Sequence, residues 1–103
     1  MRKGPEKMQE LGEYGRRIRQ KLEVALHPEK LEILDESARH AGHAGHDPLG
    51  ETHFKVTVVS AAFEGLSRVA RHRLVYDALA SELRERVHAL TLLTFIPAEH
   101  NHR

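Results

Sequence analysis

The chain has 103 residues, of which 40% are hydrophobic and 30% charged, with a formal net charge of +1 when the histidines are neutral. That is enough sequence for one domain with one modest core, and too little for a core plus a deep, enclosed substrate cavity. The charge gives no overall positive field of the kind a strong, sequence-independent nucleic-acid binder uses. With no cysteine, disulfides, a thiol nucleophile and an all-cysteine metal site are excluded.

No apolar run approaches the ~18 residues of a membrane span. The opening MRKGPEKMQELGEYG lacks the apolar core of a secretory signal. A soluble, cytoplasmic protein is therefore expected.

Residues 1–10 are polar and contain Gly4 and Pro5, so they read as a flexible lead-in. Leu11, Tyr14, Ile18, Leu22, Ala25 and Leu26 then follow helical spacing. Gly12 and Gly15 weaken the first half of that helix, leaving 16–26 as its dependable part. His27-Pro28 ends it. Leu31 to Glu36 alternates enough to predict a strand. Residues 37–51 read as a loop carrying Gly42, Gly45, Pro48, Gly50 and the repeat HAGHAGH. In Phe54 to Val59, apolar Phe54, Val56 and Val58 alternate with Lys55 and Thr57, which predicts a half-buried strand. The two strands form an antiparallel hairpin with an unusually long connection.

The organising stretch is FEGLSRVARHRLVYDALASELRERVHAL, from Phe63 to Leu90. A turn at Phe63-Glu64-Gly65 leads into a short apolar–basic run. Arg71-His72-Arg73 interrupts it, so a junction between two helices is placed there. Leu74, Val75, Ala78, Leu79 and Leu83 share the face of the second, longer helix. A last strand follows from Ala89 to Ile96, with apolar residues on both faces, which predicts cover on more than one side. Pro97 ends it, and residues 98–103 read as a polar, frayed tail. The expected fold is α+β, in the order α-β-β-α-α-β. A three-stranded mixed sheet carries the helices on one face, with a parallel pair made by the crossover.

No nucleophile or metalloprotease motif is present, so the chain is not expected to be an enzyme. The nine histidines are the compositional oddity, since neutral imidazole binds zinc, copper and iron. His88 lies where helix hands over to strand, a position held more often by a structural or surface histidine than by a ligand. His40, His43 and His46 recur every third residue in a glycine-rich loop. They can converge on one ion only by giving up loop entropy, and a solvated loop explains them as well. His53, beside Phe54, is a lesser candidate. Arg68, Arg71, His72 and Arg73 form either a basic edge for phosphate or an acidic partner, or a helix junction whose arginines cap carbonyls and pair with Glu64 and Asp77.

The run FEGLSRVARHRLVYDAL followed by VHAL, together with GETHFKVTVVS and LEILDES, resembles the BolA family over roughly residues 18–97. The resemblance implies a single KH-like domain of the second type over residues 11–97. It implies a protein that binds a monothiol glutaredoxin with a CGFS site as a heterodimer. The pair would share a labile [2Fe–2S] cluster also held by glutathione, in iron–sulfur trafficking or iron regulation. His88 matches the family's cluster ligand in the VHA segment. Glu36-Ser37-Ala38-Arg39-His40 matches the E-S-x-x-H arrangement of the second ligand; His43 and His46 depart from the single-ligand pattern. Two alternatives remain. One is a DNA-binding transcriptional regulator of morphology or stress genes acting through Arg68 to Arg73. The KH GXXG loop would fall at Gly65-Leu66-Ser67-Arg68, where arginine replaces the second glycine. The other is a zinc or copper binder using the loop histidines. Alone, the chain is expected to be a monomer or weak homodimer with no membrane partner.

Overall fold

A computed structural model describes residues 11–37 and 50–101. The first helix, α1, is Glu13–Leu26, followed by strands β1, Lys30–Asp35, and β2, His53–Val59. A 3₁₀ turn at Ala61–Phe63 leads to helices α2, Arg68–Ala78, and α3, Ala80–Glu85. Strand β3, Ala89–Phe95, and a short helix α4, Pro97–Asn101, complete the order. The sheet runs β1-β2-β3. β1 pairs antiparallel with β2, with Ile33 opposite Val56. β2 pairs parallel with β3, with Val56 beside Leu92. The α+β architecture and the mixed sheet are as the sequence pattern predicts.

The period of two decides the core. Ile33, Phe54, Val56, Val58 and Leu92 point to one face of the sheet, where they meet Ile18, Leu22 and Leu26 of α1, Val75 of α2 and Leu79. On β3, Ala89, Thr91 and Leu93 are exposed, so the cover expected on both sides of this strand is not there. Its apolar outer residues reflect β-propensity on an open face.

Three further boundaries differ from expectation for identifiable reasons. α1 starts at Glu13 despite its glycines, because Glu51, distant in sequence, caps it. One Glu51 carboxylate oxygen accepts the backbone N–H groups of Tyr14 (2.6 Å) and Gly15 (2.9 Å). A Cβ at Gly12 would come within 2.5–2.9 Å of that carboxylate, so glycine is what the close approach needs. α2 runs straight through Arg71-His72-Arg73, and the junction lies at Leu79. The Ser67 hydroxyl caps α2 by accepting the Ala70 N–H at 3.1 Å, so the helix begins just before the arginines. The segment expected as a frayed tail enters α4, whose Glu99 accepts the Ile96 N–H at 2.9 Å and receives Arg71.

Candidate functional site

The sheet end from which residues 38–49 depart and return is a bonded frame. Asp35 accepts the Ser37 N–H at 2.9 Å and the Glu51 N–H at 3.0 Å. The Ser37 hydroxyl also accepts the Glu51 N–H, at 3.1 Å. On the far side, Arg86 donates Nε and Nη2 to the Gly50 carbonyl at 3.0 and 2.7 Å. Glu51 itself has a positive φ of 63°. For a non-glycine residue this costs of order 1 kcal/mol or more and is held only by surrounding bonds.

His88 sits on this frame. Buried Val87 precedes it, and its backbone N–H donates to the Thr52 carbonyl at 2.8 Å. The main chain is thus fixed at the head of β3 while the imidazole is exposed. His53, which opens β2, shares a hydrogen bond between Nδ1 and Thr52 Oγ1 at 2.9 Å. Its ring lies 6.5 Å from that of His88, edge-on. Two imidazoles on one ion, at a metal–nitrogen distance of about 2.1 Å, have centroids roughly 5 Å apart in tetrahedral geometry. The pair would therefore have to close by roughly 1 Å. His53 gave little signal in the sequence beyond being a histidine at a strand start. Parallel pairing with β3, which local pattern cannot show, is what brings it beside His88.

His40, His43 and His46 lie outside the described residues, as do residues 1–10. Among the described residues no group of three or more His, Asp or Glu could hold a metal ion.

The basic segment lies apart from the histidine pair, on α2. Arg68 and Arg73 are exposed and His72 is half-buried. Arg71 is turned inward, with only 12% of its side chain exposed. Its Nε donates to Leu66 O at 3.1 Å, and Nη1 donates to Thr94 O at 3.2 Å and to Glu99 at 2.8 Å. Nη2 takes the other Glu99 oxygen at 3.2 Å. The Glu99 partner was not foreseen, because the sequence places it in the tail.

The sequence model of the BolA-like protein family matches residues 22–99. The chain belongs to the BolA-like family. This BolA-like chain is 54% identical to mouse BolA-like protein 1 over 82 residues, covering 80% of the chain and 57% of that protein. It is 52% identical to SufE-like protein 1 of Arabidopsis thaliana, covering 86% of the chain but 25% of that protein. The chain thus spans a quarter to somewhat over half the length of these two relatives. It is 48% identical to a protein of Escherichia coli named DNA-binding transcriptional regulator BolA, covering 77% of the chain and 71% of that protein. Among solved structures, the BolA domain of SufE1 from Arabidopsis thaliana superposes with a TM-score of 0.79 at 52% identity, covering 87% of the chain and 99% of that domain. The solution structure of mouse BolA1 gives 0.77 at 45% identity, covering 99% and 80%.

The mouse relative is named as a BolA-like protein and the Escherichia coli one as a regulator. Among the described residues of this BolA-like chain no helix is long and apolar enough to cross a membrane. The expectation of a cytoplasmic location finds no support in the relatives' names, since SufE-like protein 1 is named for chloroplast and mitochondrion.

Proposed function

We propose that this BolA-like chain is a non-enzymatic partner of a monothiol glutaredoxin with a CGFS site, and that it supplies imidazole to a labile [2Fe–2S] cluster held between them. The observation that carries the reading is His88, whose main chain is pinned to Thr52 while its ring stays exposed beside His53 at the frame of the 38–49 segment. His88 is the primary ligand. His40, the position matched by the family pattern, is the second, with His43, His46 and His53 as substitutes. Among the described residues no group of three or more possible ligands comes together, and glutaredoxin and glutathione thiolates complete the cluster. Imidazole in place of thiolate lowers the negative charge at iron and raises the reduction potential.

The test is anaerobic reconstitution with a monothiol glutaredoxin and glutathione. A mixed complex is expected whose visible circular dichroism changes when His88 is replaced by alanine. An unchanged spectrum and unchanged cluster content in His88→Ala would remove His88 from the site.

A second reading, DNA binding, is favoured by the name of the Escherichia coli relative and by exposed Arg68 and Arg73 on α2. Neutralising these two should flatten the salt dependence of DNA binding by about one unit of slope per lost phosphate contact. A slope that does not move excludes this surface.

A further inference from the structure

β3 is an edge strand with one hydrogen-bonded neighbour, β2. Its odd-numbered residues face that neighbour: Ala89 N–H donates to Thr52 O, and Phe95 O accepts Ser60 N–H. The N–H and C=O of a residue in a parallel ladder leave the strand on one side. Leu90, Leu92 and Thr94 therefore turn their backbone groups outward. Two of the three outward carbonyls are met by side chains of α2. The Tyr76 hydroxyl donates to Leu90 O at 3.3 Å, and Arg71 Nη1 donates to Thr94 O at 3.2 Å. Leu92, between these two bonded carbonyls, is 8% exposed.

The two edges of the sheet differ chemically. β1 carries Lys30, Glu32 and Asp35, the kind of charge that keeps an edge from pairing. Ala89–Phe95 reads ALTLLTF, with no charge, glycine or proline, and Leu93 is 40% exposed on its open face. Such a strand pairs readily unless it is blocked.

We propose that the β3 edge is a strand-pairing surface for the β3 edge of a second copy of this chain, held mostly shut by Tyr76 and Arg71. The outward groups are self-complementary. In an antiparallel pair centred on Leu92, Leu92 faces its own copy and Leu90 faces Thr94. Such a two-fold contact closes at two chains and does not propagate. No charge within the strand opposes it, and the +1 net charge adds little repulsion between copies. Arg71 and Tyr76 compete with the partner strand for the same carbonyls, so the wild-type chain pairs weakly.

Light scattering over a concentration series, with amide exchange by NMR, tests this. Tyr76→Phe removes one exposed hydroxyl and Arg71→Ala/Tyr76→Phe removes both guards. The double variant should dimerise with a dissociation constant at least tenfold lower than wild type, and the single variant should move the same way by less. Exchange at the Leu90, Leu92 and Thr94 amides should slow on dimerisation. Adding Thr91→Lys/Leu93→Lys, which sets like charges across the pair, should restore the monomer. An unaltered dissociation constant in the Tyr76→Phe variant and in the double variant, or a dimer that leaves those three amides exchanging as before, overturns the proposal.

Discussion

Glu82 and His88 lie at either end of the short passage from α3 into β3, and each gathers polar side chains from elsewhere in the chain. Around Glu82 the gathering is closed. The carboxylate is fully buried and takes Arg17 Nε at 2.8 Å and Lys21 Nζ at 2.8 Å, both from α1. Arg17 also reaches Glu85 at 3.0 Å, and the Tyr14 hydroxyl donates to Glu85 at 2.9 Å. Around His88 the main chain is equally fixed, but the side chain faces water. A buried charge needs its counter-charges from within the protein, since water is not there to supply them. An exposed donor on a fixed backbone remains available to a ligand from outside. The first cluster therefore locks α3 to α1, while the second leaves the His88 imidazole facing solvent.

Exchanging the two positions in experiment should separate stability from binding. Glu82→Ala should cost about 3 kcal/mol, at the low end for breaking a buried pair, because Arg17 and Lys21 can turn back to solvent. It should leave the cluster spectrum of any folded complex as it was. His88→Ala should change stability by no more than about 0.5 kcal/mol, as for an exposed residue, while altering the spectrum. Urea unfolding read beside visible circular dichroism decides it. A reversed pattern would mean that the closed cluster carries function.

Acid sharpens the same contrast. Burial alone would lift the Glu82 carboxyl, but bonds from Lys21, from backbone and from Arg17 outweigh it and hold the group below its usual 4.5. A depressed carboxyl contributes stability above its unfolded pKa and loses it as pH falls through the folded one. The gap in melting temperature between wild type and Glu82→Gln should be full near about pH 7 and should narrow below about pH 4.

Much of this was legible locally. Alternation in Phe54, Val56 and Val58 and the four-residue spacing of Ile18, Leu22 and Leu26 gave the strand, the helix and the inward faces. What stayed hidden required partners far apart in the chain. Glu82 sits in the polar run ASELRE, and nothing local marks it as buried until α1 brings Arg17 and Lys21 to it. Arg71 read either as part of a basic edge or as a residue capping carbonyls and pairing with Glu64 or Asp77; its actual acceptors, Leu66 O, Thr94 O and Glu99, stayed hidden because they come from three separate segments. For the candidate site, the handover of α3 to β3 at His88 could be read in sequence, whereas the closeness of His53 depends on strand register.

The frame beneath the histidines should respond more mildly than the Glu82 lock. Glu51 replaces a local N-cap for α1, so Glu51→Ala should cost about 1 kcal/mol, the usual worth of a cap. Glu51→Gln, which keeps an acceptor, should cost less. Amide exchange at Tyr14 and Gly15 should quicken in Glu51→Ala first. If the frame positions the rim, the His53 and His88 ring resonances should shift in that variant. Unmoved ring signals would mean that the rim is held by β2–β3 pairing alone.

The smallest effect is expected at α4, where the contrast between closed and open clusters is least sharp. Arg71 is closed in by Glu99, yet the pair lies at the surface, and the Glu99 side chain is 45% exposed. The Arg71 guanidinium, followed by the Ile96 N–H, holds the Glu99 carboxyl below its usual 4.5. The latch is therefore intact at neutral pH and loosens as pH falls through that lowered value. Carbon NMR of the Glu99 carboxyl should show it titrating upward, toward 4.5, in Arg71→Gln. Glu99→Gln should barely move the melting temperature, as surface pairs usually contribute little. It should free Arg71 enough to raise the salt dependence of any anion binding on α2. If Glu99→Gln instead unfolds the domain, Arg71 belongs with Glu82 among the locks, and the basic character of α2 rests on Arg68 and Arg73 alone.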